Sequence, residues 1–161
     1  MTKKGVQKKV FTKGFTLIEI LVVIGLIAIL AAIVLIAINP ARQFAQARNS
    51  QRESNVNTIL NAIGQNLADN KGVFGGVCAG LPVAPFGPSS VDDAAGAGIN
   101  LSCLAPTYIA SSIPRDPTAP AGAATGYTIA ENAQQRITIC APSFAEPAIS
   151  TPPPAPYCLT R

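Results

Sequence analysis

One carboxylate, Glu19, stands inside an otherwise uninterrupted apolar run, and four cysteines, Cys78, Cys103, Cys140 and Cys158, lie far downstream of it. These are the residues whose types and settings could do chemistry. A carboxylate in a membrane helix costs about 2.5–3.5 kcal/mol even on the lenient insertion scale, so Glu19 needs a partner. The plainest one is the positive end of its own helix. The cysteines show no CxxC spacing, and the chain has no His to complete a zinc site, which leaves disulfides as the expected chemistry and no metal or cofactor. Absence of His also excludes catalysis by an imidazole base, Ser-His-Asp and Cys-His arrangements included. A non-enzymatic role is expected.

The elements that must position these residues are unevenly built. Met1 to Gly14 carries Lys3, Lys4, Lys8, Lys9 and Lys13 and no acid, and Phe15 to Ile38 follows as 24 residues with Glu19 as their one ionisable group. At about 1.5 Å per residue such a helix spans ~36 Å, enough to cross a hydrocarbon core of roughly 30 Å with some tilt. Lysines on the N-terminal side place that end in the cytoplasm and the rest of the chain outside. The apolar run is too long for an ordinary secretory signal. Within it, Gly25, Ala28, Ala31 and Ala32 are small residues at close helical spacing, suited either to helix–helix contact or to routine helix composition.

Pro40 has no amide hydrogen and disfavours α geometry at Asn39, so the helix ends or kinks there, and Asn39-Pro40 can equally begin a second helix. From Pro40 to Asp69 the apolar residues Val56, Ile59, Leu60, Ile63 and Leu67 recur at spacings of three and four, an amphipathic helix with one apolar stripe. Asn70-Lys71-Gly72 supplies its stop. Thirteen of the 14 prolines lie between Pro82 and Pro156, which argues for turns and short strands. Two alternating runs, Gly126 to Ala130 and Arg136 to Cys140, flank residues 131–135 and predict a hairpin laid on the amphipathic helix. Thr151 to Pro156 reads as extended polyproline. Three disulfide pairings are possible; Cys78–Cys103 with Cys140–Cys158 is favoured because each closes a separate loop, worth roughly 3 kcal/mol in the chain-entropy model.

The string Lys13 to Ile33, with its basic leader ending in Gly14, then Phe15, then Glu19 at the fifth apolar position, resembles the class III leader of type IV pilins and pseudopilins. The resemblance runs from Lys13 to about Leu67 and loosens beyond. It implies cleavage between Gly14 and Phe15 by a prepilin peptidase, methylation of the new Phe15 amine, and a membrane-anchored precursor. It also implies that Glu19 pairs with the Phe15 amine of a neighbouring subunit and sets the register of a filament, whereas the local alternative leaves Glu19 at its own helix end and its own amine. Further on, Tyr108 to Ile129 with the turn Pro114-Arg115-Asp116-Pro117 resembles a segment of many pseudopilins and pilins. A nearby loop in type II secretion pseudopilins binds calcium; Asp116 alone stands there in this chain, with Asp92-Asp93 apart, so no metal is expected. The aromatic residue usual after that turn is missing, which favours a pilin proper.

The expected fold is α+β: a long N-terminal helix with a transmembrane half, a kink near Pro40 and an amphipathic half, packed on a small C-terminal antiparallel β-sheet with irregular Pro/Gly-rich loops. Its expected parts are a removed leader (1–14), a transmembrane and filament-core helix (15–38), an amphipathic helix (39–70) and a disulfide-bearing β region (71–161). The expected partners are other copies of the chain in a helical homopolymer, the prepilin peptidase, a pilus assembly platform with its ATPase, and the membrane before assembly. A type II secretion pseudopilin and a membrane-tethered binding module are the alternatives. The net charge of +4 first suggests nucleic acid. Five lysines of the leader supply it, and beyond Gly14 seven cations face eight carboxylates, so the case for nucleic acid goes with the leader. Arg42, Arg48 and Arg52 on the second helix are expected to be solvated or paired with neighbours such as Glu53 rather than to hold DNA.

Overall fold

The computed structural model describes residues 14–74, 85–94, 96–149 and 154–161. Contacts divide the chain into two units, Met1–Pro40 and Ala41–Arg161.

In the first unit the described structure is one helix, α1 (Leu17–Ala37). Every residue from Leu17 to Ile36 is exposed. A helix so apolar would be covered in a soluble protein; left uncovered, Leu17–Ile36 has the length and composition to cross a membrane. The helix closes where Ile38 turns extended (φ −101°, ψ 117°) while its N–H still reaches the Val34 carbonyl at 3.0 Å.

Helix α2 (Pro40–Asp69) leads into the second unit, and Pro40 opens it at a position where a missing donor costs nothing. Val56, Ile59, Leu60 and Ile63 of its stripe are buried, and Leu67 packs at the margin. The stop falls at Asn70–Gly72: Lys71 takes φ 57°, and the Gly72 N–H bonds the Leu67 carbonyl at 2.7 Å, a six-to-one closure.

Five strands follow: β1 (Phe86–Asp92), β2 (Ile99–Asn100), β3 (Ala124–Glu131), β4 (Ile137–Ala141) and β5 (Tyr157–Thr160), in the order β2-β1-β3-β4-β5. β3 and β4 are the predicted hairpin. Alternation does what alternation must: Tyr127 and Ile129 on β3 and Ile137, Ile139 and Ala141 on β4 face the core, with polar residues between. Pairing takes in Glu131, opposite Ile137, so the loop is 132–136, where Asn132 Oδ1 accepts the N–H groups of Gln134 and Arg136.

Antiparallel pairing holds for β1–β3, β3–β4 and β4–β5, but β2 runs parallel to β1, so the sheet is mixed where the sequence suggested antiparallel pairing throughout. The cause is Asp92. Its carboxylate accepts the Gly98 N–H at 2.8 Å and its carbonyl accepts the Leu101 N–H at 2.9 Å, which draws the chain back beside β1 in the same direction. β1 itself contains Gly87-Pro88. Its register against β3 shifts between Phe86 and Ser89, where Pro88 has no donor to offer.

The core lies between α2 and the sheet. The four buried residues of the α2 stripe meet Val91, Tyr127, Ile129, Ile137 and Ile139, and Leu101, Leu104, Ile109 and Ile113 close the end from the β2–β3 connection. Each such side chain contributes about 1.5–3 kcal/mol by burial. The architecture is therefore α+β.

Candidate assembly site

Thr16, immediately before α1, takes an extended conformation (φ −83°, ψ 151°) and caps the helix. Its Oγ1 accepts the Glu19 N–H at 3.2 Å, and Glu19 Oε2 in return accepts the Thr16 N–H and hydroxyl, both at 3.2 Å. This is a capping box, Thr-x-x-Glu, in which two helix-end donors are satisfied reciprocally. The sequence reading centred on Glu19 passed over Thr16, although the spacing of the two was there to be read. Chemically, the box holds the carboxylate at the first turn of α1 and gives it hydrogen bonds before any other partner arrives. Phe15 is 82% exposed just ahead of the cap, with Gly14 also exposed. Gly25, Ala28, Ala31 and Ala32 are exposed on α1.

A second polar constellation lies in the other unit. Arg48, Asn49, Arg52 and Asn55 share one side of α2, and Arg52 is fully buried. Arg52 Nε and Nη2 grip Asp116 Oδ2 and Oδ1 at 2.6 and 3.2 Å, Nη2 also donates to Thr118 Oγ1 at 3.0 Å, and Nη1 donates to Asn49 Oδ1 at 2.8 Å and Glu146 Oε1 at 2.6 Å. Arg48 closes on the same Glu146 through Nε and Nη2 at 2.8 and 2.6 Å. Asn49 Nδ2 donates to the Phe144 carbonyl, and Asn55 Nδ2 to the Arg115 carbonyl and the Tyr127 hydroxyl. Among the described residues no buried side-chain polar atom lacks a partner.

This corrects the expectation for Arg48 and Arg52. Neither is paired with Glu53; their carboxylates come from positions 116 and 146, too distant in sequence for local spacing to reveal. Arg52, with no exposed surface, has no face to offer a nucleic acid. Arg42 is exposed.

Asp116, in the Pro-x-Asp-Pro turn, also accepts the N–H and hydroxyl of Thr118 at 2.7 and 2.6 Å, so its oxygens are occupied by protein donors. Its closeness to β3 dictates a glycine: Gly126 has φ 88°, and a Cβ there would stand 2.7 Å from Asp116 Cβ. Asp92 bonds Ser90 and Gly98, and Asp93 pairs with Arg115 at 2.7 Å, a guanidinium that also holds the Pro120 and Ala124 carbonyls.

Electrostatics follow from these contacts. The hydrogen bond from Arg48 pulls Glu146 down to about 2, burial opposes it, and Arg52 adds to the pull. At Asp116 burial pushes the carboxyl up, but Arg52 and the Thr118 hydroxyl and amide outweigh it and hold the group below its ordinary value. Both carboxyls are therefore depressed in the folded chain. Their contribution to stability is complete above the unfolded values, near 4.5 for Glu146, and is lost as pH falls through the folded ones, about 2 for Glu146. The melting temperature is accordingly expected to be flat above pH ~5 and to fall between pH ~4.5 and ~2. A melting profile that stays level across that window would contradict the network.

Cys140 and Cys158 are joined across β4 and β5, where they are directly paired in register. Cys103 lies in a short 3-10 turn, Ser102–Leu104. Its favoured partner Cys78 lies outside the described residues, as do residues 151–153 of the Thr151–Pro156 stretch.

Residues 12–35 match the family model described as the prokaryotic N-terminal methylation motif. No curated protein and no solved structure matches the chain. The chain thus carries the class III prepilin-type leader of type IV pilins and pseudopilins, and the match embraces Gly14, Phe15, the Thr16–Glu19 box and nearly all of α1. That motif supports a type IV pilin-like or pseudopilin protein, a class of structural rather than catalytic proteins, processed by a prepilin peptidase from a membrane-anchored precursor.

Proposed function

We propose that the chain is the structural subunit of a type IV pilus-like filament. The observation that carries this is α1: a helix exposed from Leu17 to Ile36, nearly all of it within the methylation motif, and bearing one carboxylate at its first turn. Before assembly, bilayer covers that surface; in the filament, other copies of α1 do so. Prepilin peptidase cuts between Gly14 and Phe15, and the new Phe15 amine is methylated. Glu19 then exchanges its bonds to Thr16 for the Phe15 amine of a neighbouring subunit, which neutralises two charges in apolar surroundings and sets the axial register. An inner-membrane assembly platform and its ATPase supply the work of extraction. The precursor has its N-terminus in the cytoplasm and its second unit outside, and the finished filament is extracellular. The disulfide from Cys140 to Cys158 suits that oxidising location.

Mass spectrometry of the mature N-terminus tests the reading: a chain beginning at N-methylated Phe15 is expected. An intact Met1 would sink it and leave a tethered binding module. Sheared surface material should contain long filaments by electron microscopy; processed protein without them would move the assignment to a secretion pseudopilin.

A further inference from the structure

Of the nine asparagines in the chain, Asn100 alone has a hydroxyl residue two positions on with no proline between, in Asn100-Leu101-Ser102. That tripeptide is the acceptor pattern for N-linked sugar in an exported chain. Spelling alone is a weak signal, because an asparagine that is buried, or whose carboxamide nitrogen is committed to the fold, accepts nothing.

The structure supplies what spelling lacks. Leu101 is fully buried and ties the tripeptide to the core, while Asn100 and Ser102 on either side of it are exposed. Asn100 Oδ1 accepts the Ser102 N–H at 2.8 Å, so the carboxamide is held by its oxygen. Its nitrogen, the atom that takes the sugar, donates to nothing among the described residues, and the Ser102 hydroxyl is equally uncommitted. Asn49, Asn55, Asn57 and Asn70 differ, each committing Nδ2 to a carbonyl or hydroxyl of the fold. Asn132 comes nearest, exposed and held by its oxygen in the same way, but Gln134 stands where the hydroxyl is needed. Position in the sheet adds room. β2 is the outermost strand on its side, so a group attached at Asn100 meets no further strand.

We propose that Asn100 is an N-glycosylation site, the acceptor of an oligosaccharide carried on a polyprenyl diphosphate and transferred by a membrane-bound oligosaccharyltransferase. The Asn100 amide nitrogen forms a bond to the anomeric carbon of the first sugar, and the bond from that carbon to the diphosphate oxygen breaks. The lipid diphosphate leaves with the electron pair, and the nitrogen gives its proton to a base of the transferase. The inference rests on the reading that puts the residues beyond α1 outside the membrane, where an exported chain meets such donors. A hydrated sugar at this place covers the outer edge of β2, where backbone pairing with another chain would otherwise begin.

Protein purified from the cells that make it, measured by intact mass and by fragmentation of its peptides, tests the site. Expected is a mass above that of the chain by a whole number of sugar residues, carried on Asn100. Ser102→Ala made in the same cells keeps the backbone N–H that Oδ1 accepts, so the turn survives, yet the sugar should be lost. Ser102→Thr should keep it, Asn100→Gln should lose it, and Asn132→Gln should leave it unchanged. A bare Asn100 in the unaltered protein overturns the proposal, as does sugar that persists through Ser102→Ala or that sits on another residue instead. The N-terminal peptide of the same digest separates this from the filament reading. N-methylated Phe15 with a bare Asn100 removes the site alone, whereas an intact Met1 with sugar on Asn100 removes the filament reading and leaves the site.

Discussion

Glu19→Ala is expected to leave leader cleavage and membrane insertion nearly unchanged while filaments fall by about a hundredfold or more. Removing one partner of a charge pair in apolar surroundings costs about 3–5 kcal/mol, and each step of ~1.4 kcal/mol is tenfold in an equilibrium, so one lost pair per subunit is enough to stop growth. Alanine removes two things at once, the charge and one half of the Thr16 box, where Glu19 Oε2 now accepts two hydrogen bonds. Glu19→Gln separates them. Glutamine serves a capping box as well as glutamate does, but it carries no charge. Filament yield should therefore be as poor with glutamine as with alanine, read by electron microscopy and by immunoblot of sheared material against cell-associated precursor. Filaments restored by glutamine would assign Glu19 to helix capping alone and remove the inter-subunit pair. Thr16→Val is the complementary variant: it disrupts the box, keeps the charge, and should reduce filaments far less.

The second large effect is expected at Arg52. Arg52→Ala leaves the Asp116 carboxylate buried without its guanidinium and deprives Glu146 of one of its two cations, a loss of about 3–5 kcal/mol from a domain whose entire margin is of the order of 5–15 kcal/mol. Arg52→Lys should recover little of it, because a single ammonium cannot reach two carboxylates, Thr118 and Asn49 in the fork that the guanidinium makes. Arg48→Ala should cost far less than Arg52→Ala, since that side chain is 34% exposed and its pair is correspondingly screened. Thermal unfolding of the full-length protein in detergent, followed by circular dichroism, gives the order. Equal losses at the two positions would mean that the buried seam is not what joins the 116 turn and the 146 segment to α2.

How much of this could be read beforehand depended on the range of the interaction. The apolar run from Phe15 and the stripe of α2 are local periodic patterns, and local patterns survive translation into structure. So did the β3–β4 hairpin, whose Tyr127, Ile129, Ile137 and Ile139 alternate without interruption. β1 did not: Phe86 to Asp92 holds Gly87, Pro88 and two serines, which look like a turn, and it is a strand only because β3 and β2 pair with it on either side. β5 is four residues behind a proline-rich stretch and was visible only as the place of Cys158. The Arg52 cluster was beyond reach for a different reason. Its three charges are separated by 64 and 94 residues, and a lone arginine on a polar helix looks like a solvated one until the fold brings its carboxylates to it. At the assembly end, Glu19 stood out because a charge in an apolar run is conspicuous, while Thr16, half of the same device, is an ordinary residue that only its spacing betrays.

The sheet has two outer strands, and both are curtailed. β2 has two residues and β5 has four, with Pro154 and Pro156 just before it and Arg161 just after. Long flat outer strands recruit one another without regard to partner, the route by which chains stack into amyloid-like ribbons. A subunit packed beside its copies, as the proposed filament requires, would face that hazard at every contact. Strands this short, with prolines ahead of β5, leave little ladder to extend, so under the proposed reading self-association would run through the helix and not through the sheet edges.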